Sequence, residues 1–425
     1  MMLLCVQRLI ALVSIALLLA CGGGGGGSSS SSSSGANGAT PIPVSPSSYE
    51  NKNTALPVEL TQLPRLSSLP AFANGLTGLS GTPDSVPGSL AIADFQRNGS
   101  YSAFVIASNG TNKARAFFVG YSSTDGWSDL SSLFSTSSDW AACVRPEQSA
   151  VADLNGDGRP DIYVACSGDY GGGAHSEPQF VYLSQPNGKY VKSTTSTIAS
   201  SAVTLDANGV AIADINGDGC KDVITTNNGD LQIMMATSCN GTYTLSIPAD
   251  NIGRLPVTGG AVLPTMIRSV FLVPRSNPLR YDLLVGGNGA QGFPVKWYRN
   301  NLTAQGWGYF DPTAATQYRA YALTYGDSNN RYDYFEVASA GYVYIRNGAN
   351  NDYVGFFKIP LPGDGSVTLF STLTPNASHT LTDWPAAMRL VGTTQLRVFD
   401  AGCDLTVVLN NQSRCGRQYD ISDFP

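Results

Sequence analysis

The sequence predicts an all-β fold, a β-propeller of six or seven four-stranded blades, and three observations support this. The first is an internal repeat with a period of about 60 residues. The second is that each copy alternates short apolar runs with turn-forming residues. The third is that no segment after residue 54 sustains the apolar period of a helix.

The repeat is clearest in two segments with the same aspartates and glycines. ADLNGDGRPDIYV begins at Ala152, and ADINGDGCKDVI begins at Ala213. Their first aspartates, Asp153 and Asp214, lie 61 positions apart. Weaker copies start near Asp94, Pro274, Tyr325 and Leu390. Six copies are therefore recognisable, and residues 55–90 either complete the last blade or form a seventh.

Each copy continues with an apolar run, a Gly/Asn turn and an aromatic residue. Phe180–Leu183 precedes Asn-Gly-Lys-Tyr190, and Leu231–Met234 precedes Asn-Gly-Thr-Tyr243. Such short runs of β-branched and aromatic residues between turn formers predict strands joined as hairpins. About four strands per repeat make one propeller blade, and a closed ring of blades buries the faces that one blade exposes. An open stack of β units is the alternative.

Residues 1–20 are predicted to be an export signal. Arg8 precedes an apolar run from Leu9 to Ala20, which is too short for a membrane span. The run ends in Leu-Leu-Ala-Cys21, which resembles the lipobox of bacterial lipoproteins. The resemblance implies cleavage before Cys21 and diacylation of its thiol. An ordinary signal peptide with an incidental cysteine is the alternative.

Residues 21–54 are predicted to be the lipidated cysteine and a disordered Gly/Ser-rich linker, followed by the propeller over 55–425. Residues 22–35 are nearly all Gly and Ser, a composition that behaves as a flexible tether. By resemblance to Gram-negative lipoproteins, a residue other than aspartate after the lipidated cysteine, here Gly22, implies export to the outer membrane. We therefore expect a lipid-anchored monomer in the cell envelope, periplasmic or surface-exposed.

The composition argues against nucleic acid as a partner. Only 13% of residues are charged and the net charge is −6, whereas phosphate binding needs clustered Lys and Arg. Leaving out Cys5 and Cys21, six cysteines remain, and an even number in an exported chain predicts disulfides. Pairing of nearest neighbours is favoured, with free thiols as the alternative: Cys143–Cys166, Cys220–Cys239 and Cys403–Cys415.

The pattern Asp-x-Asn-x-Asp-Gly-x-x-Asp predicts a calcium site. It places oxygen ligands at alternate positions of a tight glycine turn, and Ca²⁺ takes six to eight oxygens. In the first loop the predicted ligands are the side chains of Asp153, Asn155, Asp157 and Asp161 and the carbonyl of Arg159. In the second they are the side chains of Asp214, Asn216, Asp218 and Asp222 and the carbonyl of Cys220.

The sequence disfavours two alternatives to a calcium site of this type, an EF-hand and a magnesium site. An EF-hand needs a Glu at position 12, where these loops have Val164 or Thr225, and helices rather than strands around the loop. Magnesium demands rigid octahedral geometry and is disfavoured. A turn rich in Asp, Asn and Gly that holds no metal stays open.

These motifs resemble the FG-GAP/VCBS repeat family, which is also found in the heads of integrin α-subunits. The resemblance is strong over residues 150–245, moderate over 91–110 and weak over 270–425. It implies a propeller with calcium in its blade loops, in cell-surface proteins that bind other molecules. Pro274 and Tyr325 replace the first aspartate, which predicts loss of metal there. Asp94 and its neighbours Gln96 and Asn98 leave a weak site open.

The sequence favours binding over catalysis. It has two histidines and no HExxH, GxSxG or Walker motif. A glycine-rich segment, 168–177, brings His175 near Glu177 and is either a ligand-contacting or catalytic loop or a solvated connection. Aromatic residues could stack on sugar rings or pack between blades. The candidates are Trp297, Trp307, Tyr309, Tyr318 and Tyr321.

The predicted function is a binding or adhesion module that recognises a glycan or a protein. Two alternatives remain open at this point. One is a carbohydrate-active enzyme, a lyase or glycosidase on a propeller scaffold, since paired carboxylates can cleave glycosides. The other is a structural component of the envelope.

Overall fold

A computed structural model describes the strands and their nearest turns from residue 86 onwards. The described residues are 86–99, 102–108, 114–122, 126–140, 143, 146–167, 177–194, 204–227, 230–247, 265–275, 280–288, 295–318, 331–338, 342–348, 354–360, 368–373, 385–391, 395–400 and 417–421. The predicted export signal, Cys21 and the Gly/Ser linker lie outside these residues, as do His175 and the pair Cys403 and Cys415.

The first three sheets are antiparallel, and each has four strands in chain order. The first comprises β1 Val86–Ala93, β2 Ser102–Ser108, β3 Ala114–Ser122 and β4 Gly126–Asp129. The second comprises β5 Pro146–Ala152, β6 Asp161–Cys166, β8 Phe180–Ser184 and β9 Tyr190–Thr194. The third comprises β11 Val210–Ala213, β12 Asp222–Asn227, β13 Asp230–Ser238 and β14 Thr244–Ser246.

Short elements join these sheets. β7 Glu177–Pro178 pairs with β10 Thr204–Leu205 in a two-stranded ribbon. Two 3-10 turns, Ser131–Leu133 and Ser137–Trp140, follow β4. Among the described residues no helix is both long and apolar enough to cross a membrane.

The remaining strands form a seven-stranded and a three-stranded sheet. The larger one holds β15 Thr265–Arg275, β16 Arg280–Asn288, β17 Val295–Tyr318, β18 Arg331–Ala338, β19 Tyr342–Gly348, β20 Val354–Pro360 and β21 Thr368–Leu373. Its two halves, β15–β17 and β18–β21, are joined by the single pair Asn288 and Arg331. The smaller sheet holds β22 Pro385–Val391, β23 Gln395–Asp400 and β24 Arg417–Ile421.

The leading strands of successive repeats lie side by side. β5 contacts β1 and β11, and β15 contacts β11 and β18. β22 contacts both β18 and β1, so contacts between leading strands return to the first repeat. The all-β prediction is confirmed, and so is the four-stranded repeat unit in the first three copies. The number of blades stays a prediction.

The core lies between neighbouring sheets, because both faces of the inner strands are covered. Side chains alternate between the faces of a strand. Along β6, Ile162 and Val164 therefore pack toward the first sheet, whereas Tyr163 and Ala165 pack toward the third. All of β6 is buried, which explains its unbroken apolar sequence.

Two predicted disulfides are confirmed. Cys143 is bonded to Cys166, and Cys220 is bonded to Cys239. The first ties the segment before β5 to the end of β6. The second joins the turn after β11 to the end of β13, within one repeat.

Candidate metal-binding loops

The predicted metal ligands lie in the turns between the first two strands of a sheet. The 153 loop (residues 153–161) connects β5 to β6, and the 214 loop (residues 214–222) connects β11 to β12. The turn after β1, described for residues 94–99 and called the 94 loop, is the equivalent in the first sheet. The three loops therefore occupy the same place in their repeats.

Positions in each loop are counted from its first aspartate, so that Asp153 and Asp214 are position 1. In the 153 loop, the side chains at positions 1, 3 and 5 accept hydrogen bonds from backbone amides of the loop. The amide of Asp157 donates to Asp153 Oδ1 and to Asn155 Oδ1, at 3.0 Å each. The amide of Gly158 donates to Asp153 Oδ2 at 2.8 Å, and that of Arg159 donates to Asp157 Oδ1 at 2.8 Å. The oxygens of positions 1 and 3 thus converge on a single amide.

The 214 loop repeats this arrangement. The amide of Asp218 donates to Asp214 Oδ1 and to Asn216 Oδ1, again at 3.0 Å each. The amides of Gly219 and Cys220 donate to Asp214 Oδ2 and Asp218 Oδ1, at 2.9 and 2.8 Å. In both loops the oxygens of positions 1 and 3 meet at one amide, and carboxylate and amide oxygens are the type of ligand that Ca²⁺ takes.

The 94 loop has the same backbone but fewer acidic groups. Asp94 accepts the amides of Asn98 and Gly99, at 3.0 and 2.8 Å. In all three loops positions 4 and 6 have positive φ, from Gly or, once, Arg97 with φ of 55°. The values elsewhere are 74° at Gly156, 75° at Gly158, 80° at Gly217, 93° at Gly219 and 83° at Gly99. A weak site here stays a prediction.

The aspartate at position 9 joins the loop to two strands. Asp161 Oδ2 accepts the amides of Leu154 and Asn155, at 2.8 and 3.3 Å, and its Oδ1 accepts the amide of Ser184 in β8 at 2.6 Å. Burial raises the pKa of Asp161 to about 7, although these amides oppose the shift. A buried carboxylate with a raised pKa is costly to ionise unless a positive charge lies nearby.

Asp222 has the same role in the next repeat. It accepts the amides of Ile215 and Ala236, at 2.9 and 2.8 Å, and burial raises its pKa to about 7. Burial also raises the pKa of Asp153. These three carboxylates would therefore gain from a bound divalent cation. Ligation of metal by each predicted residue stays a prediction.

One stretch of the repeat region matches a known family model. Residues 153–225 match the family model of the FG-GAP-like repeat. The match begins at the first aspartate of the 153 loop and ends in β12, after the 214 loop. No curated protein sequence matches the chain.

Solved structures of two fungal lectins are similar to the chain. One is an Aleuria aurantia lectin variant in complex with Fucα1-6GlcNAc, at 11% identity and TM-score 0.39, covering 67% of this chain and 79% of the lectin. The other shows recognition of non-reducing terminal N-acetylglucosamine by an Agrocybe aegerita lectin, at 14% identity and TM-score 0.35, covering 68% and 80%.

In each of the two repeats that contain the 153 and 214 loops, a tyrosine outside the loop bonds to the loop backbone. The hydroxyl of Tyr190 donates to the carbonyl of Pro160 at 2.9 Å, and that of Tyr243 donates to the carbonyl of Lys221 at 2.8 Å. Both carbonyls belong to position 8 of a loop. The sequence shows these aromatic residues after an Asn-Gly turn, but the pattern alone does not reveal their partners.

The structure places two other residues from the sequence analysis, Trp297 and Pro274, within strands. Trp297 is buried in β17 and donates its Nε1 to Asp282, so it belongs to the core and cannot stack on a sugar. Pro274 lies within β15 and pairs with Tyr281. The strand therefore continues past the position of the first ligand, and the loss of metal in this repeat stays a prediction.

Gly156→Ala is expected to destabilise the protein far more than Gly217→Ala, although both glycines occupy position 4. A Cβ on Gly156 would lie 2.4 Å from the carbonyl oxygen of Cys239, whereas one on Gly217 meets nothing within 4 Å. Both variants carry the cost of positive φ, about 1–2 kcal/mol. Gly156→Ala adds a backbone clash and should cost roughly twice as much. Urea unfolding measures both, and equal losses would contradict the packing described here.

Proposed function

We propose that this protein is a calcium-stabilised, six-bladed propeller that is lipid-anchored in the cell envelope and binds a glycan or a protein. The observation that carries the proposal is the recurrence of one loop, with the oxygens of positions 1 and 3 on a shared amide, at the same place in successive sheets. The proposal has four parts, which are the number of blades, the metal, the anchor and the ligand, and each part has its own support.

The contacts of the leading strands support six blades. Among the described residues six strands start repeats, namely β1, β5, β11, β15, β18 and β22. Each contacts the next, and β22 contacts β1. A ring of sheets around their innermost strands is the arrangement of a propeller, which leaves only short, protected edges. On this count the seven-stranded sheet contains two blades bridged by one pair of residues.

Calcium in the 153 and 214 loops would act on stability. Its charge would offset the repulsion of Asp157 with Asp153 and with Asp161. Asp157 has the guanidinium of Arg159 near it, at 4.0 Å. Backbone amides already hold these carboxylate and amide oxygens at the turn. The cation would rigidify the turns that join the first two strands of each blade.

The glycan or protein ligand would bind to surfaces other than the 153 and 214 loops. FG-GAP-like repeats imply, by resemblance, surface proteins that bind other molecules. The low charge of 13% suits an uncharged polar ligand such as a glycan. A lipid on Cys21 and the Gly/Ser linker would place the propeller away from the membrane where such ligands are met.

A glycan array and an envelope-protein pull-down, each run in calcium and in EDTA, test the proposal. We expect binding to one ligand class in calcium and weaker binding in EDTA. Release of oligosaccharides from a polysaccharide mixture would instead indicate an enzyme. Radiolabelled palmitate should enter the wild type and not Cys21→Ser, and equal labelling of both would contradict the anchor.

A further inference from the structure

The two calcium loops have the same ligand residues but different surroundings. One residue outside the loop, Ser184 at the end of β8, contacts three of the four predicted side-chain ligands of the 153 loop. Its amide donates to Asp161 Oδ1 at 2.6 Å, and its carbonyl accepts the Nδ2 of Asn155 at 3.3 Å. Its hydroxyl lies 3.2 and 3.1 Å from Asp157 Oδ1 and Oδ2. Ser184 is buried, with 3% of its surface exposed.

The corresponding residue of the 214 loop is Ala236. Its amide donates to Asp222 Oδ1 at 2.8 Å, as Ser184 does to Asp161, so the two positions are equivalent. Alanine has no hydroxyl to offer Asp218. That carboxylate instead accepts the Nδ2 of Asn216 at 2.8 Å, in an exposed contact between neighbouring ligands.

The next repeat also covers the 153 loop. The amide of Gly241 donates to the carbonyl of Asn155 at 2.8 Å, and the carbonyl of Cys239 lies against Gly156. Asn155 is consequently only 4% exposed. Asn216, at the same position of the 214 loop, is half-buried, and Asp218 is exposed. Asn155 and Asp157 of the 153 loop are thus held by residues outside the loop, whereas Asn216 and Asp218 of the 214 loop are more open to water.

We propose that Ser184 is a positioning residue that makes the 153 loop the tighter of two calcium sites, and that the 214 loop is the weaker, exchangeable site. The inference rests on the proposed calcium binding. A hydroxyl that donates to Asp157 restricts the rotamers of this ligand, so less ordering remains for the cation to impose. Partners that orient metal ligands in this way typically change affinity 10- to 100-fold.

The test measures calcium binding by calorimetry to each loop separately in the purified protein. Asp218→Ala leaves the 153 loop to report, and Asp157→Ala leaves the 214 loop. We expect Ser184→Ala to raise the Kd of the 153 loop by roughly tenfold, and that of the 214 loop to stay unchanged. Ser184→Thr, which keeps the hydroxyl, should restore most of the affinity. Ala236→Ser in the 214 loop is the matched gain-of-function variant and should tighten that site.

The outcomes separate this inference from the proposed function. If neither loop binds calcium in the wild type, the calcium proposal and this inference both fail. If both loops bind with equal Kd, or if Ser184→Ala weakens both loops alike, calcium binding stands and the role of Ser184 is wrong. Thermal melts in EDTA provide the second readout. A lower Tm of Ser184→Ala in EDTA with an unchanged Kd would mean that the hydroxyl stabilises the fold only.

Discussion

Asp282→Ala should reduce the free energy of unfolding by about 3–5 kcal/mol, because it removes a buried carboxylate that accepts three donors, one of them the guanidinium of Arg299. Asp282 is 1% exposed. It accepts Trp297 Nε1 at 3.1 Å, Arg299 Nη1 at 2.9 Å and the amide of Asn300 at 2.9 Å. Urea unfolding in EDTA measures the loss without any contribution from calcium.

Asp129→Ala is the matched control for this loss. Asp129 is exposed and accepts one amide, that of Ser131, at 2.8 Å. Its removal should cost about 1 kcal/mol or less, as loss of a cap does. A cost for Asp282→Ala no larger than the control would mean that the three donors find other partners, and that the cluster does not hold β16 to β17.

Asp282 also shows what the repeat pattern could and could not predict. It stands at position 9 of a repeat whose position 1 is Pro274, so this aspartate persists where the metal motif is lost. Spacing alone assigns Asp161 and Asp222 to the metal, because alternate oxygens are what calcium needs. The structure adds that the carboxylate at position 9 accepts a backbone amide of the third strand and so connects the loop to it. This contact cannot be read from the sequence.

The strands and disulfides were more accessible to prediction than the contacts between repeats. Alternating apolar runs and nearest-neighbour cysteines are local features, and both led to confirmed expectations. The contact of Ser184 with Asp157 spans 27 residues, and that of Gly241 with Asn155 joins two repeats. Such contacts depend on how one sheet lies on the next. For Trp297 the sequence left sugar stacking and packing both open, and the structure selects packing, because burial by a neighbouring sheet cannot be read from the local sequence.

The double variant Asp157→Ala/Asp218→Ala should lose nearly all calcium-dependent stability. Calcium at about 100 times Kd stabilises by about 2.7 kcal/mol per occupied site. Each substitution removes the ligand at position 5, and each single variant should therefore lose the contribution of its own site. In EDTA the double variant should melt close to the wild type, since removing Asp157 also relieves its repulsion of Asp153. Thermal melts in EDTA, in calcium and in magnesium measure these differences.

The controls for the double variant separate ligand loss from general damage. Asp129→Ala, outside both loops, should keep the full rise in Tm with calcium. Magnesium should give little of that rise in the wild type, because it requires rigid octahedral geometry. A full calcium-induced rise in the double variant would refute the ligand assignment in both loops. The oxygens at positions 1, 3 and 5 would then be turn chemistry, in which backbone amides alone satisfy the carboxylates.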